Sequence, residues 1–380
     1  MTGDDVAQVW RSPVLGRRGA VPALAPDEGV AWHYGDPFGE QRALERRNAF
    51  ADLSHTGVVT VTGPERLTWL HSLTSQHLTG LAPRTSTELL VLDPHGHVEH
   101  AAGVVDDGTT TWLLTDGDHA APLAAWLDRM RFMMRVEVAD VTDQWAAIGE
   151  NVRAEGQEGE PVTWVDPWPT VAPGATRYGP ADDAHPGADR AWRLVLVPRA
   201  TLLDEVRARE DAGWTLVGTW ATEAARVAAL RPRVDVDVDD RTIPHELDWL
   251  RTAVHLAKGC YRGQETVARV HNLGRPPRRL AFAHLDGSEN LLPQPGAEVS
   301  VGEKVVGRAT SVAMHHELGP IALVTLKRNV DPAADLVVAA EGGVVAASQE
   351  VVVAAEGITP DRPAPRAPVA RGLAPRQRRD

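Results

Sequence analysis

The sequence predicts an α+β protein in which helical and strand-like segments alternate and the C-terminal part contains strands only. Three observations support this prediction. Apolar residues three or four positions apart, as in residues 119–135, are typical of amphipathic helices. Short apolar or alternating runs separated by Asp-Pro and Asp-Gly turns are typical of strands. At 380 residues, the chain is long enough for two or three packed units.

Composition limits the class of protein. Hydrophobic residues make up 43% of the chain and charged residues 24%, as in soluble globular proteins. We find no apolar run long enough to span a bilayer and no secretory signal, so we expect no membrane partner. The formal net charge of −13 argues against a protein that coats nucleic acid. The single cysteine excludes a disulfide within one chain and predicts a cytoplasmic location.

The chain divides into segments of different composition. Residues 1–38 are rich in Gly and Pro and predict a loosely held arm. Residues 39–143 predict a first α+β part, because the helix over residues 119–135 accompanies several short strands. Residues 144–278 predict a second α+β part, which includes the Gly/Pro/Asp-rich residues 150–190, a stretch of low order.

The C-terminal part has a different pattern. Residues 279–356 contain only short strand-like runs with Gly/Pro turns, which predict a small antiparallel β-barrel. Residues 357–380 are rich in Arg and Pro and predict a disordered basic tail.

The stretch from residue 258 to residue 269 reads Lys-Gly-Cys-Tyr-Arg-Gly-Gln-Glu-Thr-Val-Ala-Arg. Residues 264–270 predict a short helix with Val267 and Val270 on its apolar face. We refer to residues 258–265 as the signature loop.

Cys260 is the candidate reactive group of the signature loop. It precedes the predicted helix and lies between Lys258 and Arg262, and a helix N-terminus and nearby cations favour a thiolate and lower the pKa of a thiol. Gly259 and Gly263 allow a sharp turn or a close approach to a ligand. The alternative is that a lone cysteine is a small buried hydrophobic residue. The polar, glycine-flanked setting favours the reactive thiol.

Arginines follow the signature loop. Arg269, Arg275, Arg278 and Arg279 form a basic cluster. Arginine forks match carboxylates and phosphates, so one interpretation is an anion site. The alternative is a solvated loop.

Two histidine groups and one acidic run also need interpretation. His95 and His97 share one face of a strand while His100 points away, so a metal site there needs ligands from elsewhere. In the adjacent pair His315-His316 the side chains diverge. Residues 235–240 (Asp-Val-Asp-Val-Asp-Asp) lack the glycine and terminal glutamate of a calcium loop and predict a solvated strand or turn. We therefore predict no metal site.

The signature loop, Lys258-Gly259-Cys260-Tyr261-x-Gly263-Gln264-Glu265, resembles the signature of the YgfZ branch of the YgfZ/GcvT folate-binding family. Residues 51–54 (Ala-Asp-Leu-Ser), 59–64 (Val-Thr-Val-Thr-Gly-Pro) and 243–247 (Ile-Pro-His-Glu-Leu) resemble further blocks in the family's order. The resemblance implies a three-domain, aminomethyltransferase-like (GcvT/YgfZ) fold around a central cavity that binds tetrahydrofolate or a derivative.

The sequence differs from the catalytic members of this family at two positions. Their aspartate, in the strand after a glycine turn, falls here on His100 or Ala101. Their glutamate that meets the pterin lies in an Arg-Ile-Glu-Ala-Gly block, which here is Arg-Val-Ala-Ala-Leu from Arg226. Because both carboxylates are missing, aminomethyl transfer is disfavoured.

The resemblance implies a role for each site residue. Cys260 is the reactive thiol at the cavity mouth, and Lys258 lowers its pKa. Tyr261 stacks on a ring or donates a hydrogen bond, with half-buried packing as the alternative, and Gln264 and Glu265 orient the loop or cap the helix. The folate- and anion-binding set comprises Tyr261, Gln264, Glu265, Arg226, Arg269 and Arg275.

The preferred interpretation is a folate-binding protein that supports iron–sulfur cluster assembly or repair, with reduced folate and iron–sulfur proteins or assembly factors as partners. One alternative is a folate-dependent aminomethyltransferase, or a transferase that acts on tRNA. We expect no nucleic-acid partner other than the tRNA of this alternative. Another is a non-enzymatic interaction protein that has lost folate binding. Whether the protein is an enzyme is left open.

Overall fold

The computed structural model describes residues 10–288 and 290–360, and it confirms the α+β class. Two five-stranded sheets, a small two-stranded sheet and a closed six-stranded barrel make up its strands. The predicted basic tail lies almost entirely outside the described residues. None of the described helices combines the length and apolar character needed to cross a bilayer.

The strands are β1 (Val21–Pro22), β2 (Ala31–His33), β3 (Ala49–Asp52), β4 (Gly57–Thr62), β5 (Ser86–Leu92), β6 (Val98–Asp106), β7 (Thr110–Thr115), β8 (Glu137–Asp140), β9 (Trp145–Glu150), β10 (Thr163–Val165), β11 (Arg193–Pro198), β12 (Thr215–Val217), β13 (Arg278–Leu285), β14 (Glu298–Val301), β15 (Lys304–His315), β16 (Gly319–Lys327), β17 (Leu336–Ala340) and β18 (Gly343–Val351). The helices are α1 (Pro37–Glu45), α2 (Arg66–Leu73), α3 (Gly117–Met130), α4 (Leu202–Asp211), α5 (Thr219–Ala228), α6 (Val234–Asp237), α7 (Leu250–Ala253) and α8 (Gln264–Asn272).

The first sheet has the antiparallel order β5-β6-β7-β4-β8. One face of β5 presents Leu89 and Val91 to α2 and α3, where Leu70 and Leu123 complete a buried cluster. Each fully buried leucine stabilises the fold by about 1.5–3 kcal/mol. Because side chains alternate along a strand, the other face of β5 presents Glu88, with Leu90, to the centre of the molecule.

The second sheet has the order β10-β11-β9-β3-β12 and is antiparallel except for the parallel pair β3 and β12. Strand β3 lies in the first predicted part of the chain, yet it pairs with strands of the second. The predicted boundary near residue 144 therefore does not separate the two sheets.

The first described residues are packed, in contrast to the loosely held arm that composition predicts. Val14 is fully buried and clusters with Phe50 and Ile148. Asp27, in the turn between β1 and β2, accepts a hydrogen bond of 2.7 Å from Arg233. Gly and Pro content therefore indicates irregular backbone here, while buried apolar and charged side chains hold the segment in place.

Residues 150–190 are also more ordered than predicted. They contain β10 and the fully buried Trp168, whose indole N–H donates to the Ala229 carbonyl over 2.8 Å. A segment that is held in place by one large buried aromatic side chain has no periodic apolar pattern. The sequence therefore did not indicate that this segment is ordered.

The predicted barrel is confirmed. Its strands follow the closed order β13-β16-β15-β14-β17-β18, with antiparallel neighbours, and β13 pairs with β18 to close it. Alternate residues such as Ala281, Ala283 and Val324 fill the interior.

The predicted helix after the signature loop is confirmed as α8, with Val267 buried. Gly263 immediately precedes α8 with φ of +82°, and a Cβ there would lie 2.6 Å from the carbonyl oxygen of Asp93. On the facing turn between β5 and β6, a Cβ at Gly96 would lie 2.8 Å from Thr266. The two glycines thus let α8 approach the first sheet closely.

Replacing Gly263 by Ala should lower the free energy of unfolding by about 1–3 kcal/mol, because a left-handed backbone and a close contact are both imposed on the new methyl group. Urea denaturation measures this difference. Gly259→Ala is the matched control, since no atom lies within 4 Å of a Cβ at that position, and it should change stability by less than about 0.5 kcal/mol. Equal losses in the two variants would contradict this account of the packing.

Candidate functional site

A cavity of about 190 Å³ lies at the centre of the molecule, where the two sheets meet α5. Trp164 and Trp192 contribute aromatic surface, and Leu114 and Leu194 contribute aliphatic surface. Ionisable side chains occupy the remaining wall, namely Asp27, His55, Glu88, Asp116, Asp166, Arg190, Glu223, Arg226, Arg231 and Arg233. The cavity is therefore both aromatic and strongly charged.

Strand β6 and helix α5 shape the cavity. On β6, a Cβ at Gly103 would lie 2.5 Å from the Trp164 ring, so only glycine admits the indole at this position. On α5, Thr219, Glu223 and Arg226 recur at helical spacing and face the cavity together.

Arg231 joins the two sheets across the cavity. Its guanidinium donates to Glu88 of β5 over 2.5 Å and lies 3.3 Å from Asp166, which follows β10. Glu88 also accepts hydrogen bonds from Trp249, over 3.2 Å, and from Thr252. Removing one member of such a buried pair destabilises a protein by about 3–5 kcal/mol.

Asp166 is buried and ionised. Burial opposes its charge, but Arg231 and Arg190 outweigh this effect and hold the pKa of the carboxyl below its usual range. The Glu88–Arg231–Asp166–Arg190 group, which we call the central ion cluster, is thus internally neutralised.

A second group of charges lies beside α5. Arg233 donates to Asp27 and to Asp116, each over 2.7 Å. Arg226 donates to Glu223 and to the fully buried Asp237, each over 2.8 Å. The predicted anion-binding residue Arg226 is thus already paired with two carboxylates.

Glu223 is more accessible than the other two carboxylates that are compared here, Asp237 and Glu88. Its side chain is 28% exposed, compared with 0% for Asp237 and 3% for Glu88. It contacts Arg226 and, at 3.4 Å, Arg233. Of the carboxylates that pair with Arg226 and Arg233, Glu223 has the largest exposed side-chain fraction.

The acidic run of residues 235–240 differs from the predicted solvated strand or turn. Its first residues form α6, and Asp237 accepts hydrogen bonds from Thr310 (2.5 Å) and Ser311 (2.7 Å) of the barrel. Asp239 pairs with Arg278. These aspartates are counterions of the buried Arg226 and the half-buried Arg278, which a local pattern does not reveal.

The structure places the two candidate positions of the family's aspartate on different sides of β6. Ala101 lines the central cavity, whereas His100 points to a surface groove on the other face of β6. There the Nδ1 atoms of His100 and His119 lie 3.1 Å apart, and His119 pairs with Asp235. Burial lowers the pKa of His100 to about 4, so its imidazole is uncharged at neutral pH. At this position of β6 the cavity is therefore lined by a methyl group, which accepts no proton.

Cys260 is exposed and is not among the residues that line the central cavity. The backbone N–H of Tyr261 donates to the Gln264 side chain over 3.0 Å, so Gln264 orients the loop. Tyr261 is half-buried and Glu265 is exposed. The signature loop thus presents its thiol to solvent.

Lys258 contacts backbone carbonyls. Its ammonium donates to the carbonyl oxygens of His71, Thr74 and Gln76 at the end of α2. Burial lowers its pKa to about 8. Lys258 therefore anchors the signature loop to α2, and its predicted electrostatic effect on Cys260 stays a prediction.

The four arginines of the predicted basic cluster have different surroundings in the structure. Arg269 and Arg275 are exposed, while Arg278 pairs with Asp239 and Glu246. Arg279 is fully buried and donates to Gln349 over 2.7 Å. Arg262, in the signature loop, pairs with Glu99 over 2.6 Å.

Apart from Arg226, sequence reasoning missed the charged wall of the cavity. The sequence did contain a signal that Glu88 is a buried charge, because this ionisable residue directly precedes the apolar run from Leu89 to Leu92. The pair Arg231 and Arg233 directly after a helix was a weaker signal. Asp27 had none, since it lies in a Gly/Pro-rich stretch.

Comparisons with known proteins give sequence relatives and a structural match, while no protein-family model matches the chain. The chain is 26% identical over 308 residues to an aminomethyltransferase of Nostoc sp., with 75% of this chain and 78% of that protein covered. A stretch of 100 residues is 32% identical to a mitochondrial iron–sulfur cluster assembly factor IBA57 homologue of Cryptococcus neoformans, with 26% of each chain covered.

The crystal structure of the glycine cleavage system aminomethyltransferase T from Bartonella henselae matches with a TM-score of 0.70 at 15% identity, covering 90% of this chain and 95% of that chain. This match confirms the predicted aminomethyltransferase-like fold. Together with the sequence relatives, it supports a relationship between this chain and the GcvT/YgfZ-like superfamily.

Proposed function

We propose that the protein binds a reduced folate by its pterin end in the central cavity and supports iron–sulfur cluster assembly or repair in the cytoplasm. The observation that carries the proposal is the combination of aromatic wall and partly exposed carboxylate in one cavity of an aminomethyltransferase-like fold. The relatives named as aminomethyltransferases and as a cluster assembly factor homologue support the two halves of the proposal.

The cavity suits the ring end of a folate. Trp164 and Trp192 offer faces for a flat heterocycle. Glu223 offers a carboxylate to the amino edge of a pterin, and such charge-assisted hydrogen bonds are the strong ones. The volume of about 190 Å³ is below the roughly 300–1,000 Å³ of sites for drug-sized ligands, so the glutamate tail extends out of the cavity.

The wall residues bind and orient this ligand. A reduced folate, when bound, supplies one-carbon chemistry at its ring nitrogens. The cavity offers Ala101 where a catalytic carboxylate would be required, and its buried carboxylates already hold arginines. Aminomethyl transfer, and transfer to tRNA by the same chemistry, are therefore disfavoured relative to binding.

Cys260 acts on the surface in this proposal. Its thiol is exposed in a loop that Lys258 and Gly263 hold against the first sheet. A single cysteine cannot hold a cluster alone, so the cluster is shared with a partner protein that supplies the other ligands. The folate site and the thiol are thus separate places on one scaffold.

Titration of tetrahydrofolate into the protein should give a saturable heat, and Glu223→Gln should weaken binding about ten- to hundredfold. Loss of a hydrogen bond to a charged group costs about 1.5–3 kcal/mol, and each 1.4 kcal/mol is about tenfold in Kd. The exposed Glu303→Gln is the control and should bind normally. A protein that gives no heat with tetrahydrofolate or its formyl and methylene forms would favour the non-enzymatic interaction protein.

Cys260→Ser should fold normally but fail to support iron–sulfur enzymes in cells that lack the protein. The side chain is exposed, so the free energy of unfolding should change by less than about 0.5 kcal/mol. Cluster-enzyme activity is measured at matched protein levels, together with folate affinity, which should remain unchanged. Full cluster-enzyme activity in the variant would remove the thiol from the proposal and leave the folate site standing.

A further inference from the structure

A group of metal-ligating side chains lies far along the chain from the signature loop, where the turn between β15 and β16 contacts the end of α1. Among the residues that the structure describes, Glu45, His315 and His316 each bring one ligand atom to within 4.8 Å of the others. Sequence alternation predicted that the two histidines diverge. His315 is the last residue of β15 and His316 lies in the turn, so alternation ends there and the ring centroids are 4.8 Å apart.

The two nitrogens of His316 have distinct surroundings. The Gln41 side-chain N–H donates to the Met314 carbonyl over 2.9 Å, which turns the Gln41 oxygen toward His316. That oxygen accepts from the His316 backbone N–H over 2.9 Å and lies 3.3 Å from Nδ1. Because the oxygen only accepts, Nδ1 must carry a proton.

The second ring nitrogen of His316, Nε2, faces two carboxylates. This atom lies 3.1 Å from a carboxylate oxygen of Glu45 and 4.0 Å from one of Glu317. Either a proton on Nε2 or a metal ion between the two atoms would account for this close approach. A histidine that donates one N–H to a protein oxygen and offers its other nitrogen to a metal is the usual arrangement in metalloproteins.

The spacing suits a small divalent cation. Donor atoms at 2.0–2.1 Å from a tetrahedral Zn²⁺ lie roughly 3.3 Å from one another. The pair His316 and Glu45 already has this separation, and the others need to close by no more than about 1.5 Å. Glu45 is half exposed and free to rotate, while the His316 side chain, at 6% exposure, is held.

His315 is the weaker ligand. Its Nδ1 accepts hydrogen bonds of 3.2 Å from the backbone N–H groups of Glu317 and Leu318. Metal binding through either ring nitrogen gives up these bonds, because Nδ1 must then either carry a proton or coordinate. We therefore expect His316 to matter more than His315.

We propose that Glu45, His315 and His316 bind a first-row transition metal ion such as Zn²⁺, with Glu317 or water in the fourth position. Imidazole with carboxylate suits these ions rather than Ca²⁺ or Mg²⁺. Such an ion would join α1 to the barrel. It would stabilise the folded protein, since it binds that state and not the unfolded chain.

The test is titration of ZnCl₂ into metal-free, full-length protein that carries no affinity tag. The expected result is one saturable site, a rise in melting temperature with Zn²⁺, and binding weakened more than about tenfold by His316→Ala. Glu45→Gln, which leaves the Gln41 contacts intact, should also weaken binding and guards against misfolding of the first variant. The paired change His95→Ala and His97→Ala is the control and should bind normally.

Unchanged binding in His316→Ala and Glu45→Gln would overturn the proposal, as would loss of the site in the His95/His97 variant. Absence of saturable binding would also overturn it.

Discussion

The buried interaction of Arg231 with Glu88 and Asp166 is the constraint on which the centre of the molecule depends. Glu88 comes from the first sheet and Asp166 follows a strand of the second, so one guanidinium holds the two sheets at a defined distance. Both carboxylates are buried, at no more than 4% exposure. Any change in the spacing of the sheets would leave a buried charge unpaired, which is costly. This ion cluster therefore makes the cavity a permanent part of the fold.

The same constraint determines what the cavity offers to a ligand. Its arginines are already neutralised, so the cavity does not attract anions through free positive charge. What remains is aromatic surface from Trp164 and Trp192 and the partly exposed carboxylate of Glu223. That combination favours a flat ring with N–H donors on one edge. The thiol of Cys260 is exposed elsewhere, which suits an encounter with another protein rather than with a ligand in the cavity.

Sequence patterns predicted those features that depend on local periodicity. Helix α8 follows from its apolar spacing, and the barrel follows from short strands with regular turns. The arginine–carboxylate pairs were not predictable, because Asp27 and Arg233 are 206 positions apart and only tertiary packing brings them together. The position of Cys260 was only partly predictable. Its neighbours indicated a polar loop, but the direction of that loop depends on Lys258 reaching the end of α2.

A crystal structure with tetrahydrofolate bound is the most direct test of the account. We predict a pterin ring in the central cavity, against the tryptophan wall, with its amino edge on Glu223 and its tail extending outward. A second hollow, of about 590 Å³ beside His77 and His255, offers more space but is not lined by any tryptophan. A folate found there, or bound only on the surface near Arg269 and Arg275, would contradict the account.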